Sequence, residues 1–361
     1  MWRIDAYQLA VALAVDLILG DPQHWPHVAR AAGALSLRCE SGCVRWLGRT
    51  VFAGIVFWVL VCTILLGAYA LVHTLLARGF AAAAWLLDVA VVYQCVAARD
   101  LDRHARAVLK PLMAGDLEAA RFQLSRIVGR DTAGLDASEV SRATLETVAE
   151  STTDGVLAPL FWAAVGGPAA ALLYRTANTL DSMVGHRDAR YERFGKCSAL
   201  ADDVLSFVPA RLCALLSLLT RGPQHAVAVV REAGLHASPN AGWSEAAAAW
   251  ALRVRLGGTN HYDGIPQRGP VFNPGGTAPQ ANDVKRILLW FWTVTSVAGV
   301  AFTLLVHWRS TLERSRVPNH PVLPGVVETA PQQRIVRDRP FPPRRAVALP
   351  EVAGTQASFF W

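Results

Sequence analysis

The chain has 361 residues, 53% of them hydrophobic and only 17% charged, where an ordinary soluble domain carries about 25%. Its formal charge of +7 rests almost wholly on arginine, since lysine occurs only at Lys110, Lys196 and Lys285. This balance excludes a charge-rich soluble protein and points to a bilayer as partner, with arginine anchoring cytoplasmic loops, rather than to a nucleic acid.

The six cysteines form no Cys-x-x-Cys and several lie in apolar runs, which predicts buried thiols, not a zinc site or disulfide framework. Residues 6–20 form a short apolar helix, tilted or partly interfacial, that Gly20-Asp21-Pro22 terminates. His24 and His27, among prolines and a tryptophan, read as loop packing rather than metal ligands. Residues 30–50, with four arginines against the single acid Glu40, read as a cytoplasmic loop.

The uncharged run Val51–Ala77 is the clearest transmembrane helix, and Arg78-Gly79 turns the chain into a second span, Phe80–Ala98. Its lone acid, Asp88, is expected to face protein or a cavity. Arg49 and Arg99 place the outer ends of this hairpin on the cytoplasmic side. From Arg99 to about Leu124 the pattern is amphipathic, with Pro111 as a break and Asp116 as N-cap of a second helix.

Acids, arginines and glycines are densest between Ser125 and Arg211. After a loop over Val128–Leu135, Asp136 with Glu139 opens a helix in a capping-box pattern. At 100° per residue, Glu139, Arg142, Glu146 and Glu150 share one narrow face. A solvated acidic stripe is the ordinary reading, but this helix leads straight into the apolar segment Gly155–Leu173. Gly166-Gly167-Pro168 interrupts that segment and predicts a broken or re-entrant hairpin, which returns the chain and unites Glu146, Glu150 and Asp154 with Arg175, Asn178 and Asp181. A basic loop over residues 185–203 ends in Asp202-Asp203, either a magnesium–phosphate holder or an acidic start to a helix Val204–Leu219.

Residues 235–283 read as a further functional loop region, in which Asn240 and Gly242 offer donors to an anion. Lys285-Arg286 flank a last span, Ile287–His307, and a Pro/Arg-rich tail over 308–361 reads as disordered. The fold expected is therefore all-α: a polytopic helical membrane protein with broken or re-entrant helices, a membrane-embedded domain over 1–307 and a site on the cytoplasmic face.

No Gly-x-x-x-x-Gly-Lys-Ser/Thr loop, dinucleotide fingerprint or Gly-x-Ser-x-Gly elbow is present. The residues alone leave two classes open: an enzyme acting on a phosphorylated or carboxylated substrate, and a transporter whose broken helix binds a solute.

A set of motifs goes further. Gly20-Asp21-Pro22, Pro26-His27, Gly129-Arg130-Asp131-Thr132, Val148-Ala149-Glu150, Asp154-Gly155, Asn178-Thr179-Leu180-Asp181-Ser182-Met183, Asp202-Asp203 and Ser238-Pro239-Asn240-Ala241-Gly242-Trp243 run in order through residues 5–290. Together they resemble the adenosylcobinamide-phosphate synthase family of cobalamin biosynthesis. Val28, Ser151 and His186 depart from the usual proline, asparagine and tyrosine of that pattern. The family also has a regulatory relative without ligase activity, which fits Ser238–Trp243 poorly.

The resemblance implies an inner-membrane ligase, using ATP and Mg2+, that joins adenosylcobyric acid to 1-aminopropan-2-ol or its O-phosphate. Its expected partners are that corrinoid, the amine, the lipid bilayer and other late membrane enzymes of the same pathway. Carried onto these positions, it implies catalytic roles for Glu146, Glu150, Asp154 and Asp181. Substrate and phosphate contacts are implied at Arg130, Asp131, Arg175, Asn178, Lys196 and Asn240, and metal ligation at Asp202 and Asp203.

Overall fold

The structure, a computed structural model, describes residues 3–22, 24–186 and 188–315. Helices carry nearly all of it: α1 (Ala6–Leu19), α2 (Val28–Leu47), α3 (Val51–Gly79), α4 (Ala81–Cys95), α5 (Ala98–Met113), α6 (Leu117–Ser125), α7 (Ala137–Thr152), α8 (Ala158–Val184), α9 (Lys196–Arg221), α10 (Ala226–Ala233), α11 (Ala241–Leu252) and α12 (Ala281–Ser315). A π-helical turn, Thr153–Leu157, joins α7 to α8, and a two-stranded antiparallel hairpin, β1 (Leu256–Tyr262) and β2 (Ile265–Phe272), precedes α12. Five helical stretches are long and apolar enough to cross a membrane: Val51–Gly79, Ala81–Met113, Ala137–Val184, Lys196–Arg221 and Ala281–Glu313. The protein is a multi-pass helical membrane protein, as its composition leads one to expect.

Two of those stretches are not straight rods. Gly167 adopts φ 75° and ψ −166° ahead of Pro168, a conformation open to glycine and outside the helical region. Ser151 and Ser182 would stand about 46 Å apart on a straight helix. Both line one cavity, so the chain doubles back at Gly167, the re-entrant hairpin that Gly-Gly-Pro predicts. The stretch Ala81–Met113 breaks at Val96-Ala97, and the freed Ala97 N–H donates to the Gly155 carbonyl at 2.9 Å. A π-turn leaves carbonyls without their usual helical donor, so each break supplies what the other lacks.

The main core runs through α1, α4, α5, α7, α8, α11 and α12, with Trp290, Phe291, Leu145 and Leu101 fully buried. Asp88 faces protein, as expected for an acid within a span: Tyr69 donates to it at 2.6 Å and Gln8 at 3.2 Å, tying α4 to α3 and α1. A smaller cluster joins α2, α3, the end of α8 and Phe194, whose ring packs tilted against Phe57. Gly54 is required there, since a Cβ would lie 1.9 Å from the Phe194 carbonyl oxygen.

Four expectations are corrected. Residues 30–50 are mostly helix α2, not loop: Ala32, Gly33, Ser36, Glu40 and Cys43 form a buried stripe at helical spacing that the arginines mask. Helix α9 begins at Lys196, not Val204, so Asp202 and Asp203 lie inside it. Residues 235–283 hold α11 and the β-hairpin rather than a loop, adding one strand pair to an otherwise all-α fold. Helix α12 continues through Ser315, past the expected boundary at 307/308; the rest of the 308–361 tail lies outside the described residues.

Candidate active site

Helix α7 starts where Asp136 accepts from the Glu139 N–H at 2.8 Å, and the middle of its polar stripe, Arg142 and Glu146, is buried. Glu146 is the hub of that stripe. Its carboxylate accepts from Arg130 at 2.6 Å, from Arg142 at 3.0 Å and from the Gly257 N–H at 2.7 Å. The three donors come from the 126–136 loop, from α7 and from β1, so one buried carboxylate holds three elements together. With both oxygens occupied, Glu146 is an anchor for Arg130 more than a free base.

One turn further on, the chain opens into a cavity of about 520 Å³. Glu150 and Asp154 line it from α7 and the π-turn, Arg175 and Asn178 from the returning half of α8, and Arg126 and Arg130 from the loop after α6. Tyr262 reaches in from the end of β1. The geometry thus unites Arg130, Glu150, Asp154, Arg175 and Asn178, which the sequence scatters over 49 positions between the first and the last of these residues when numbered from 130 to 178.

Arg175 is the exception among these groups. It is only 5% exposed, its Nε is buried without a hydrogen-bond partner, and among the described residues no carboxylate lies within ion-pair distance of it. A buried guanidinium is normally paired, because the uncompensated charge is costly. Here it stands over a cavity that Glu150 and Asp154 also line, ready for an anion.

Asn178 donates to the Asp202 carboxylate at 3.1 Å, which ties α9 to the cavity wall from behind. Asp154, Asp181, Asp202 and Glu150 lie within mutual electrostatic range, with Arg175 as the cation that offsets Asp154. Asp203 adds to this group, in electrostatic range of Asp181 and Asp202, while its backbone carbonyl and carboxylate meet the Asn240 amide at 2.8 and 3.4 Å. Neighbouring helical residues point about 100° apart, so Asp202 and Asp203 have different hydrogen-bond partners, Asn178 and Asn240, while staying within electrostatic range of each other. Among the described residues no three His, Cys, Asp or Glu side chains converge as a metal site by themselves.

Other expected site residues sit off the cavity wall. Asp131 serves the hairpin, accepting from Gly264 N–H at 2.8 Å while its own N–H donates to the His261 carbonyl at 2.8 Å. Asn240 accepts from Arg211 at 3.3 Å, and Lys196 is exposed at the start of α9.

Two groups beside the site have environments that only the fold creates. Glu245, on α11, is 8% exposed, and burial followed by repulsion from Glu150 and Glu146 pushes its carboxyl well above the usual range, against the pull of Arg130 and Arg142. An Ala-rich helix gives no warning of a buried acid. A native state that holds this proton loses stability as pH rises above the ordinary value of 4.5. Glu245→Gln is expected to raise thermal stability at pH 7.5 by at least about 1 kcal/mol, with the gain vanishing toward pH 4.5, read by melting curves across that range.

His27, taken as loop packing, caps α2 by accepting from the Ala29 N–H at 3.1 Å, while its Nε2 lies 3.5 Å from Asp21. Burial, then the charges of Arg175 and Arg30, push its pKa from 6.5 down to about 3. The imidazole is neutral in the fold and protonates on unfolding, so stability falls as pH drops from 6.5 toward 3, by about 1.4 kcal/mol per pH unit in that window. His27→Asn keeps a capping acceptor and is expected to flatten that slope in acid-unfolding curves.

A family model described as CobD/Cbib protein matches residues 9–291. The chain is 38% identical over 322 residues to cobalamin biosynthesis protein CobD of Klebsiella pneumoniae, covering 82% of this chain and 96% of that protein. It is 42% identical over 271 residues to the CobD of Pelobacter propionicus, covering 73% and 84% respectively. With cobalamin biosynthesis protein CbiB of Salmonella typhi it shares 37% identity over 301 residues, 81% of this chain and 94% of that one. No solved structure matches. The family match spans all of the elements from α1 to the start of α12, and the chain belongs to the CobD/CbiB family of cobalamin biosynthesis proteins.

Proposed function

We propose that the protein is an acid–amine ligase that joins a side-chain carboxylate of adenosylcobyric acid to 1-aminopropan-2-ol or its O-phosphate, at the expense of ATP. The observation that carries this reading is Arg175, a buried cation whose Nε has no hydrogen-bond partner among the described residues, in a cavity it shares with two acids.

A carboxylate and an ammonium form only a salt. The acid is made reactive when one of its oxygens attacks the γ-phosphorus of ATP, giving an acyl phosphate and ADP. The amine nitrogen then attacks the acyl carbon, inorganic phosphate leaves, and the nitrogen loses its proton. Arg175, with Arg130 steadied by Glu146, is suited to the equatorial oxygens of the transferring phosphoryl group. Glu150 and Asp154 are suited to hold the incoming ammonium and accept its proton, a role that needs carboxylates open to the cavity. Asn178 fixes Asp202, and Asp181 lies beside it as a second orienting acid.

The donor set is all oxygen, which fits Mg2+, and Mg2+ commonly takes only one or two carboxylates plus substrate phosphates. Asp202, with substrate phosphates completing the shell, would hold it, and when bound it supplies charge neutralisation at the phosphates. The basic residues at Arg49 and Arg99 favour a cytoplasmic position for this end of the bundle at the inner membrane.

Incubating the purified protein with adenosylcobyric acid, ATP, Mg2+ and each amine in turn tests the reading. The expected products are the amide, seen by mass spectrometry, and ADP in equal amount. Absence of amide with either amine, together with solute flux in proteoliposomes, would establish a transporter instead.

A further inference from the structure

The cavity and the proposed substrate differ in size. About 520 Å³ encloses a drug-sized ligand. A corrin macrocycle carrying an adenosyl group and a ring of amide arms is far larger, so only the reacting arm can enter. The macrocycle has to rest outside, on whatever borders the opening.

The hairpin β1–β2 borders it. Only the ends of the two strands are buried, at Leu256 and Phe272. Isolated two-stranded hairpins are marginal in water, yet this one is latched in place. The Asp131 carboxylate accepts from the Gly264 N–H, the Asp131 N–H donates to the His261 carbonyl, and Arg130 donates to Asn260 at 2.8 Å. Arg142 adds bonds to the Gly257 and Thr259 carbonyls at 3.1 and 3.3 Å. Three side chains of the site region thus fix an element that contributes little to the core. At its tip Tyr262 lines the cavity yet remains 36% exposed, and Ile265, directly paired with it across the strands, is 64% exposed.

We infer that this hairpin is the docking platform for the corrin ring, with Tyr262 and Ile265 as the apolar face under the macrocycle and the polar strand residues around them serving its amide arms. The inference rests on the functional reading above. An aromatic ring offers a large contact surface at small entropic cost, and Tyr262 stands where the arm must pass from platform to cavity. Arg130 bonds both the hairpin, through Asn260, and Glu146 beneath the cavity, so platform and site are held in one register.

The test is equilibrium binding of cobyric acid, followed by its visible absorbance, to the full-length protein in detergent, with steady-state kinetics for all three substrates. Tyr262→Ala and, independently, Ile265→Asp are expected to weaken corrinoid affinity at least tenfold and to leave the KM for ATP and for the amine within about twofold. Tyr262→Phe keeps the ring and is expected to bind corrinoid within about threefold of the parent. Both side chains are exposed, and circular dichroism checks that the variants fold. Unchanged corrinoid affinity in the first two variants, or a rise confined to the KM for ATP, would overturn the platform while leaving the ligase reading intact. If the parent protein itself bound no corrinoid, the ligase reading would fall and the platform with it.

Discussion

Arg175→Ala is expected to lower ligation by roughly 100- to 1000-fold, the usual cost of removing one preorganised donor to a developing charge, while leaving thermal stability within about 1 kcal/mol of the parent. The two halves of this result have one cause. Arg175 is buried and makes no ion pair among the described residues, so its deletion strands no carboxylate within ion-pair distance. A structural arginine behaves in the opposite way, since its loss strands a carboxylate. Arg175→Lys is expected to recover only part of the rate, because an ammonium keeps the charge but loses the planar fork that meets two phosphate oxygens at once. Steady-state rates and melting curves on the same preparations check it; a variant that melts early, or one that turns over at the parental rate, would remove Arg175 from the site.

Glu146 is expected to show the reverse pattern. Glu146→Ala leaves Arg130 and Arg142 facing each other in a largely buried setting, with side chains 13% and 11% exposed, and orphans the Gly257 N–H. Breaking a buried pair in this way costs about 3–5 kcal/mol. Activity is expected to vanish with it, since Arg130 loses its support and β1 its anchor. The distinguishing readout is limited trypsin digestion: cleavage at Arg255 or Arg268 is expected to accelerate in Glu146→Ala and not in Arg175→Ala. A Glu146→Ala protein that melts like the parent, resists trypsin and loses only kcat would instead make this carboxylate a direct participant in the chemistry.

The contrast between these two residues marks how far sequence reading reaches. Glu146 and Glu150 lie on the same face of α7 and look equivalent from their spacing. Only the fold separates them, by bringing two guanidiniums and an amide to the first and a cavity to the second. Asp202 and Asp203 likewise read as a pair, but a helix that begins eight residues earlier than Val204 aims one at Asn178 and the other at Asn240. The hairpin was illegible for a different reason. Its strands contain Gly257, Gly258, Pro266 and Pro270 and show no alternation, so local propensity argues against them. Contacts from Asp131, Arg142 and Glu146, more than a hundred positions away, supply the stability that the strands lack.

The amino-acid order alone determined the membrane class, the spans within Val51–Gly79, Ala81–Met113 and Ala281–Glu313, the reversal at Gly166-Gly167-Pro168 and the family, because each depends on local features: apolar run length, backbone permissiveness and a string of motifs. The tertiary structure decided which ionic groups are paired within the fold and which line the cavity. That choice depends on distances between residues remote in the chain, and a charge costs or contributes energy according to what stands beside it once water has been excluded.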